Sequence, residues 1–304
     1  MKEHNKLLVV DGFNLLSRGY FATSYGREED QLSKNSNGQY TNGLRVFFQK
    51  LFQLVRLEPI SHVIVAWDVK REESIRRQYA PDYKATRGEL PNALIQQYET
   101  CTSILDEIGV AQLTISPYEA DDIIGCLAQM WKKQFEAPCA IYSNDRDLLQ
   151  LINESTTQII ATKAGEVHYS LADFEKDYQI TPAQWIDVKA LLGDKSDNIP
   201  GCAGVGEKSA LPLIQTYRTV ENLYEVLARN EVDPSYKRYF KKLEAGFESV
   251  VLSKKLATII CEIEELQSYM FDDAKLPHEP ATVENVLNTY ELKITYNPAH
   301  SAHV

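Results

Sequence analysis

Nine acidic residues, Asp11, Asp68, Glu119, Asp121, Asp122, Asp145, Asp147, Asp194 and Asp197, stand just beyond short apolar runs or inside tight turns. Carboxylates in such numbers cannot share one pocket while ionised unless cations neutralise them. At ~4 Å, like charges repel by several kcal/mol at moderate dielectric. Ligands that are all oxygen select hard cations, Mg²⁺ or Mn²⁺. Two such ions a few ångströms apart can activate a water and stabilise the leaving oxygen of a phosphodiester.

The elements that must place these acids are legible as patterns. Leu7–Val10, Val63–Trp67, Leu113–Ile115 and Ala140–Tyr142 read as short strands, each followed by an acid. Between them lie helical stripes. One carries Leu44, Phe47, Phe48, Leu51, Leu54 and Val55, and a second carries Leu94, Tyr98, Cys101, Leu105 and Ile108 with Gly109 as its stop. Ala120, Ile123, Ile124, Leu127 and Trp131 form a third. Strands alternating with helices predict an α/β fold, with a parallel central sheet and flanking helices. Ligands of such sheets sit outside the carboxyl ends of the strands, where these acids lie. Near residue 175 the character changes. Trp185, Val188, Leu191 and Leu192 predict a helix, followed by a turn-rich stretch and further helices. The expected division is 1–175, 176–275 and a peripheral extension, 276–304.

The chain has 304 residues, 44% of them hydrophobic and 25% charged, an ordinary globular composition with no apolar run near the length of a membrane span. Five cysteines without a CxxC pair disfavour a disulfide framework and a thiolate zinc site, and fit a reducing, cytoplasmic setting. A net charge of −11 excludes a wholly basic nucleic-acid binder but not a local basic patch.

Each motif also has a plain structural reading. Ser116-Pro117-Tyr118-Glu119 fits a capping box, with Ser116 as N-cap and Glu119 at N3. Asp121 and Asp122 would then complement the helix dipole, with Asp121 pointing away from Glu119. The turn Gly201–Ala210 lacks the spacing of a nucleotide-binding loop and fits a hairpin between helices, whose amides could hold a phosphate. Residues 70–92 carry Lys70, Arg71, Arg76, Arg77, Lys84 and Arg87, with Tyr79 and Tyr83 able to stack on bases. Residues 207–255 hold nine basic and seven acidic residues, able to track a duplex or to face solvent.

In order, VVDGFNLLSR, AWD, DYKATR, YEADD, SNDRD, GDKSDNIPG and GVGEKSA resemble the bacterial and phage 5′ nuclease family. That family includes the 5′–3′ exonuclease domain of type I DNA polymerases and stand-alone flap endonucleases. The resemblance runs from about residue 6 to 265. It implies a PIN-like nuclease core and a C-terminal helical domain with a helix–hairpin–helix DNA clamp. It also implies hydrolysis of DNA phosphodiesters at 5′ ends and 5′-flap junctions, in replication and repair.

By the same resemblance, Asp11, Asp68, Glu119, Asp121 and Asp122 surround one Mg²⁺ or Mn²⁺, and Asp145, Asp147, Asp194 and Asp197 surround a second. Lys84 and Arg18 contact the scissile phosphate. Residues 70–92 form a helical arch over the site, and Arg76, Arg77, Tyr83, Arg87, Gly204, Gly206, Lys208 and Ser209 contact DNA. The hairpin turn holds K⁺ through its carbonyls. The expected partner is branched or nicked DNA with a single-stranded 5′ end, bound by a monomer. Asn144 stands where relatives often carry Gly or Ala, a change that the tolerance of Asn for left-handed backbone makes mild. Ser209 replaces a common Thr.

Other readings fare worse. A phosphatase using Asp11 as nucleophile would need an acid where Phe13 stands. A non-catalytic DNA binder would tolerate missing acids, and all nine are present. An RNA-cleaving PIN nuclease is typically a shorter single domain.

Overall fold

The structure, a computed structural model, describes residues 5–277 and 279–298. The first strand, β1 (Leu7–Asp11), runs directly into α1 (Gly12–Ser24), followed by α2 (Asn42–Leu57) and β2 (His62–Ala66). Then come the short α3 (Arg76–Tyr79), α4 (Asn92–Glu107), β3 (Ala111–Leu113), α5 (Ala120–Phe135) and β4 (Cys139–Tyr142). A hairpin of β5 (Thr156–Thr162) and β6 (Gly165–Tyr169) closes the sheet edge. Beyond it lie α6 (Leu171–Tyr178), α7 (Trp185–Leu192), α8 (Glu207–Tyr217), α9 (Val220–Ala228), α10 (Phe240–Ala257) and α11 (Pro280–Thr289).

The strand order is β3-β2-β1-β4-β5-β6, parallel except for the last pair. Alternation along the strands explains why helices cover both faces. Leu8, Val10, Val63, Val65, Ala140 and Tyr142 join a core with α2 and α4, while Leu7, Val9, Ile64, Ala66, Cys139 and Ile141 join a core with α5. A third core belongs to the helical unit and takes in Leu149, Ile152, Phe174, Trp185, Leu191, Leu213 and Leu243.

Several expectations need correction. The third strand ends at Leu113 rather than starting there. The β5–β6 hairpin and α1 had no sequence reading. Residue 175 falls inside α6, whose Phe174 packs with the helical unit. The segment after residue 276 is not peripheral: Leu276, Val283, Leu287, Leu292 and Tyr296 are buried against the α2–α4 face of the sheet. Of the extension expected over 276–304, residues 278 and 299–304 lie outside the described residues. Before α4 begins at Asn92, residues 70–91 hold only a 3₁₀ turn (Arg71–Glu73), the single-turn α3 and a run of turns. They form a compact strap rather than a long helical arch.

Candidate active site

The acids gather along the carboxyl edge of β1, β2 and β4, as a parallel sheet dictates. Asp11 ends β1 and caps α1. Its carboxylate accepts from the Asn14 amide at 3.0 Å and from the Ser143 hydroxyl at 2.8 Å. Asp68 lies just past β2 and accepts from the Ala120 amide at 2.9 Å, which ties it to the start of α5. Asp145 follows β4 and accepts from the Asp147 amide at 2.8 Å. Asp121, in the first turn of α5, accepts no hydrogen bond from any described residue in the structure.

Electrostatics mark the centre of this group. Burial, then neighbouring Asp68, pushes the Asp11 carboxyl up to about 7, against the bonds from Asn14 and Ser143. Burial, Asp145, Asp11 and Asp68 push Asp121 well above the usual carboxylate range. Asp68 opens to the cleft, and desolvation there and Glu119 raise its carboxyl, with Lys84 opposing. These are the marks of carboxylates that crowd one another and have no ion-pair partner among the described residues, Lys84 opposing their repulsion only in part. Among the described residues, no three His, Cys, Asp or Glu side chains stand close enough to form a ready metal cage. The oxygen-only donor set and the crowded, unpaired charge fit a hard divalent ion.

Glu119 and Asp122 behave differently. Helix α5 begins at Ala120, so Glu119 itself is the N-cap, and its amide donates to Asp122 Oδ2 at 3.1 Å. This replaces the capping box expected at Ser116. Glu119 accepts from Ser74 Oγ at 2.8 Å, Lys84 Nζ at 2.9 Å and Tyr83 OH at 3.1 Å. Burial opposes its ionisation, yet Lys84 and Arg76 hold its carboxyl below the ordinary range. Asp122 is fully buried and its oxygens are taken by Arg76, at 2.7 and 2.8 Å, and by the Ile260 amide. It is a structural carboxylate, and Asp121 is the one that joins Asp11, Asp68 and Asp145. The sequence expectation of Asp122 as a metal ligand is not met, because its oxygens are occupied, while Asp121, expected at the same metal, stands beside Asp11, Asp68 and Asp145.

The second acid group joins both units. Lys189 Nζ on α7 lies 2.7 Å from Asp147 and 3.1 Å from Asp194. Asp194 also accepts from the Ser196 amide and hydroxyl, at 2.8 and 2.6 Å. Burial and Asp145 lift the Asp147 carboxyl to about 6, with Lys189 opposing. Burial opposes Lys189's charge, but Asp147 and Asp194 bring its ammonium up to about 12. The loop carrying Asp194 and Asp197 doubles back through paired Asp194 and Ile199 backbone bonds. Gly193 (φ 70°) and Gly201 (φ 64°) stand back to back at its base, where a Cβ on either would fall 2.5–2.7 Å from backbone atoms.

The strap closes over this edge. Arg76 also donates to the carbonyls of Leu256 (2.9 Å) and Thr258 (3.0 Å), which ties the strap to the end of α10. Tyr83, Ile199 and Leu256 form a small core beneath it. Lys84 has φ 55°, donates its amide to the Asp197 carbonyl and sits over the Tyr83 ring at 5.0 Å. Arg87 bonds Asp197. A cleft of about 720 Å³ opens beside it, lined by Phe13, Trp67, Asp68, Lys84, Tyr98 and Glu119 among others. On α1, Arg18 donates to Asn144 Oδ1 at 2.8 Å. Asn144 does not adopt positive φ. It bonds both backbone groups of Ala161 on β5, which explains its presence better than turn conformation does.

The expected DNA contacts separate by exposure. Arg76 and Tyr83 are buried, at 4% and 3% exposure, and Ser209 is buried, bonded to the Gly206 carbonyl at 2.9 Å. None of these three can reach DNA as drawn from sequence. Arg77 is half-buried and bonded to the Pro81 carbonyl. Arg87, Gly204, Gly206 and Lys208 are exposed. The turn carbonyls of Cys202, Gly204 and Gly206 already accept bonds, and Lys242 Nζ stands on that of Gly204 at 3.3 Å. This arrangement does not fit a bound K⁺. Sequence reasoning missed Ser143, Ser74 and Lys189. Only Lys189 left a signal, as a charged residue within the otherwise apolar Trp185–Leu192 stripe.

Comparison with known proteins follows the same outline. Residues 6–179 match the 5′–3′ exonuclease N-terminal resolvase-like domain, and residues 180–280 match the 5′–3′ exonuclease C-terminal SAM fold. A 5′–3′ exonuclease of Halalkalibacterium halodurans is 59% identical over 97% of this chain and 97% of its own. A 5′–3′ exonuclease of Bacillus subtilis is 36% identical over 86% and 85%. DNA polymerase I of the same organism is 37% identical, over 86% of this chain but 28% of the polymerase. The fold is shared with T5 5′-exonuclease solved with bound zinc (TM-score 0.66, 22% identity, 94% of this chain and 96% of that one). It is also shared with the catalytic core of Rad2 in complex with DNA substrate (TM-score 0.59, 15% identity, 97% and 90%).

Proposed function

This chain belongs to the 5′–3′ exonuclease family, and we propose that it hydrolyses DNA phosphodiesters at 5′ ends and at 5′-flap junctions, with two Mg²⁺ or Mn²⁺ ions, as a cytoplasmic monomer. The observation that carries the reading is the group of carboxylates without an ion-pair partner among the described residues, Asp11, Asp68, Asp121 and Asp145, at the carboxyl edge of the sheet. These would hold the first ion. Asp147, Asp194 and Asp197 would hold the second, with Glu119 acting from beside Lys84. The chemistry such ions supply when bound is activation of water and relief of charge on the leaving oxygen.

The chain's own residues do the rest. Ser143 and Asn14 fix the Asp11 carboxylate, and the Ala120 amide fixes Asp68. Lys84 and Arg18 offer preorganised positive charge to the phosphate being cleaved. The strap limits access to a single strand, and the exposed amides around Gly204–Lys208, at the start of α8, hold a backbone phosphate of the duplex. The free cysteines agree with a reducing compartment. Among the described residues no helix is long and apolar enough to cross a membrane. A division into a nuclease unit and a helical unit that meet around α6 belongs to the same proposal.

The test is cleavage of a labelled 5′-flap duplex by the purified protein, with Mg²⁺ and with EDTA, resolving product lengths. Metal-dependent incision near the junction is the expected outcome. Flap binding without cleavage in Mg²⁺ or Mn²⁺ would overturn the assignment.

A further inference from the structure

The acids of the site differ in how their charge is met. Glu119 has Lys84, Asp122 has Arg76 and Asp197 has Arg87. Asp11, Asp68, Asp121 and Asp145 have no ion-pair partner among the described residues. Asp147 and Asp194 share a single ammonium, that of Lys189, whose side chain is 12% exposed. Asp147 comes from the sheet unit, and Lys189 and Asp194 from the helical unit. The ammonium therefore sits between carboxylates from two units, within the very group proposed for the second divalent ion.

We propose that Lys189 is a resident cation of the second acid group: it holds Asp147 and Asp194 together, and a second divalent ion binds there only by displacing its ammonium. The ions then load in order. The first goes to Asp11, Asp68, Asp121 and Asp145, which have no ion-pair partner among the described residues. The second must break two ion pairs and approach against a positive charge. Three observations support this. The ammonium contacts one oxygen of each acid directly, so those oxygens are not free. The remaining Asp194 oxygen is bonded twice by Ser196, so that carboxylate has little capacity left. Nearby Asp145 keeps its carboxylate clear of any ion pair. Lys189 is on this view a positioning residue. It acts through the two aspartates and sets the affinity of the second site without touching the phosphate.

This inference rests on the two-ion reading, and the experiment separates the two. Free Mn²⁺ is followed by electron paramagnetic resonance as it is titrated into the full chain without DNA, so no turnover is needed. The wild-type protein should bind one Mn²⁺ tightly and a second at least about tenfold more weakly. Lys189→Gln should tighten the second site at least about tenfold and leave the first unchanged, while Lys189→Arg should keep it weak. Lys189→Met serves as a second neutral variant, and circular dichroism checks each fold. Two equal sites in the wild-type protein would overturn the proposal. So would an unchanged or weaker second site in a folded neutral variant. Absence of any Mn²⁺ binding by the wild-type protein would instead overturn the metal reading itself.

Discussion

Arg76 grips both oxygens of Asp122, at 2.7 and 2.8 Å, with 4% and 0% of the two side chains exposed. The pair joins the strap to α5, and the further bonds from Arg76 to Leu256 and Thr258 bring in the end of α10. Removing one partner leaves a buried charge alone, which costs about 3–5 kcal/mol. Asp122→Ala should therefore lower unfolding stability by that amount in urea titration. The affinity for the first Mn²⁺ should change by no more than about threefold, because Asp122 faces Arg76 and not the metal group.

Asp121 and Asp11 should show the opposite balance. Asp11 is buried and Asp121 half-buried, and each carboxylate is held against its neighbours' repulsion. Asp121→Asn and Asp11→Asn should raise the melting temperature of the metal-free protein by several degrees. Both should cut flap cleavage by roughly a thousandfold or more, comparable to loss of a group that acts in the transition state. Asp68→Ala should likewise abolish cleavage while flap binding, read by fluorescence anisotropy, stays largely intact.

The raised carboxyls also make stability depend on pH. The folded-state value of Asp11, about 7, lies above its ordinary 3.8, and that of Asp147 lies at about 6. The folded state thus binds more protons than the unfolded chain between these values. This contribution is fully present below the ordinary value and is lost as pH rises through 6 and 7. Metal-free protein in EDTA should melt at progressively lower temperature from pH 5 to pH 8. The increment in melting temperature on adding Mg²⁺ should grow over the same range.

The Gly193–Gly201 contact fixes the loop of the second acid group. A methyl group at either position meets backbone atoms, and both residues have positive φ. Gly201→Ala should cost about 3 kcal/mol or displace the loop. Either way the weaker Mn²⁺ site should be lost before the tighter one, which a titration of the folded variant would show.

Leu287 on α11 is fully buried against the α2–α4 core. Leu287→Ala should destabilise the protein by about 2–5 kcal/mol, as a core truncation does. A change below about 0.5 kcal/mol in chemical denaturation would mean that this segment is as peripheral as its sequence suggested.

The alternating cores and the acid-bearing strand ends were legible because period and spacing are local properties. Leu7–Val10 and Val63–Trp67 name their faces within a few residues. What sequence pattern could not settle was pairing across distance. Nothing near Asp122 announces that Arg76, 46 positions away, would claim it. Nothing near Asp147 points to Lys189. Tyr83 and Arg76 looked like a nucleic-acid surface because aromatic and basic residues alternate there, and only tertiary packing turns them inward. The β5–β6 hairpin was missed because its edge strand carries exposed, polar residues with little apolar signal.

The return of the chain to its starting unit has a consequence for how the protein is made. Arg45 on α2 donates to the Leu292 carbonyl, a contact that spans 247 positions. Phe52 and Tyr296 meet edge to face at 4.8 Å. One wall of the first core is therefore supplied only after the helical unit has been translated. On a ribosome, the sheet would wait with Leu51, Phe52 and Val55 partly uncovered while its own insertion folds. Such a nascent chain leaves apolar surface open to the wrong contacts until α11 docks and closes it.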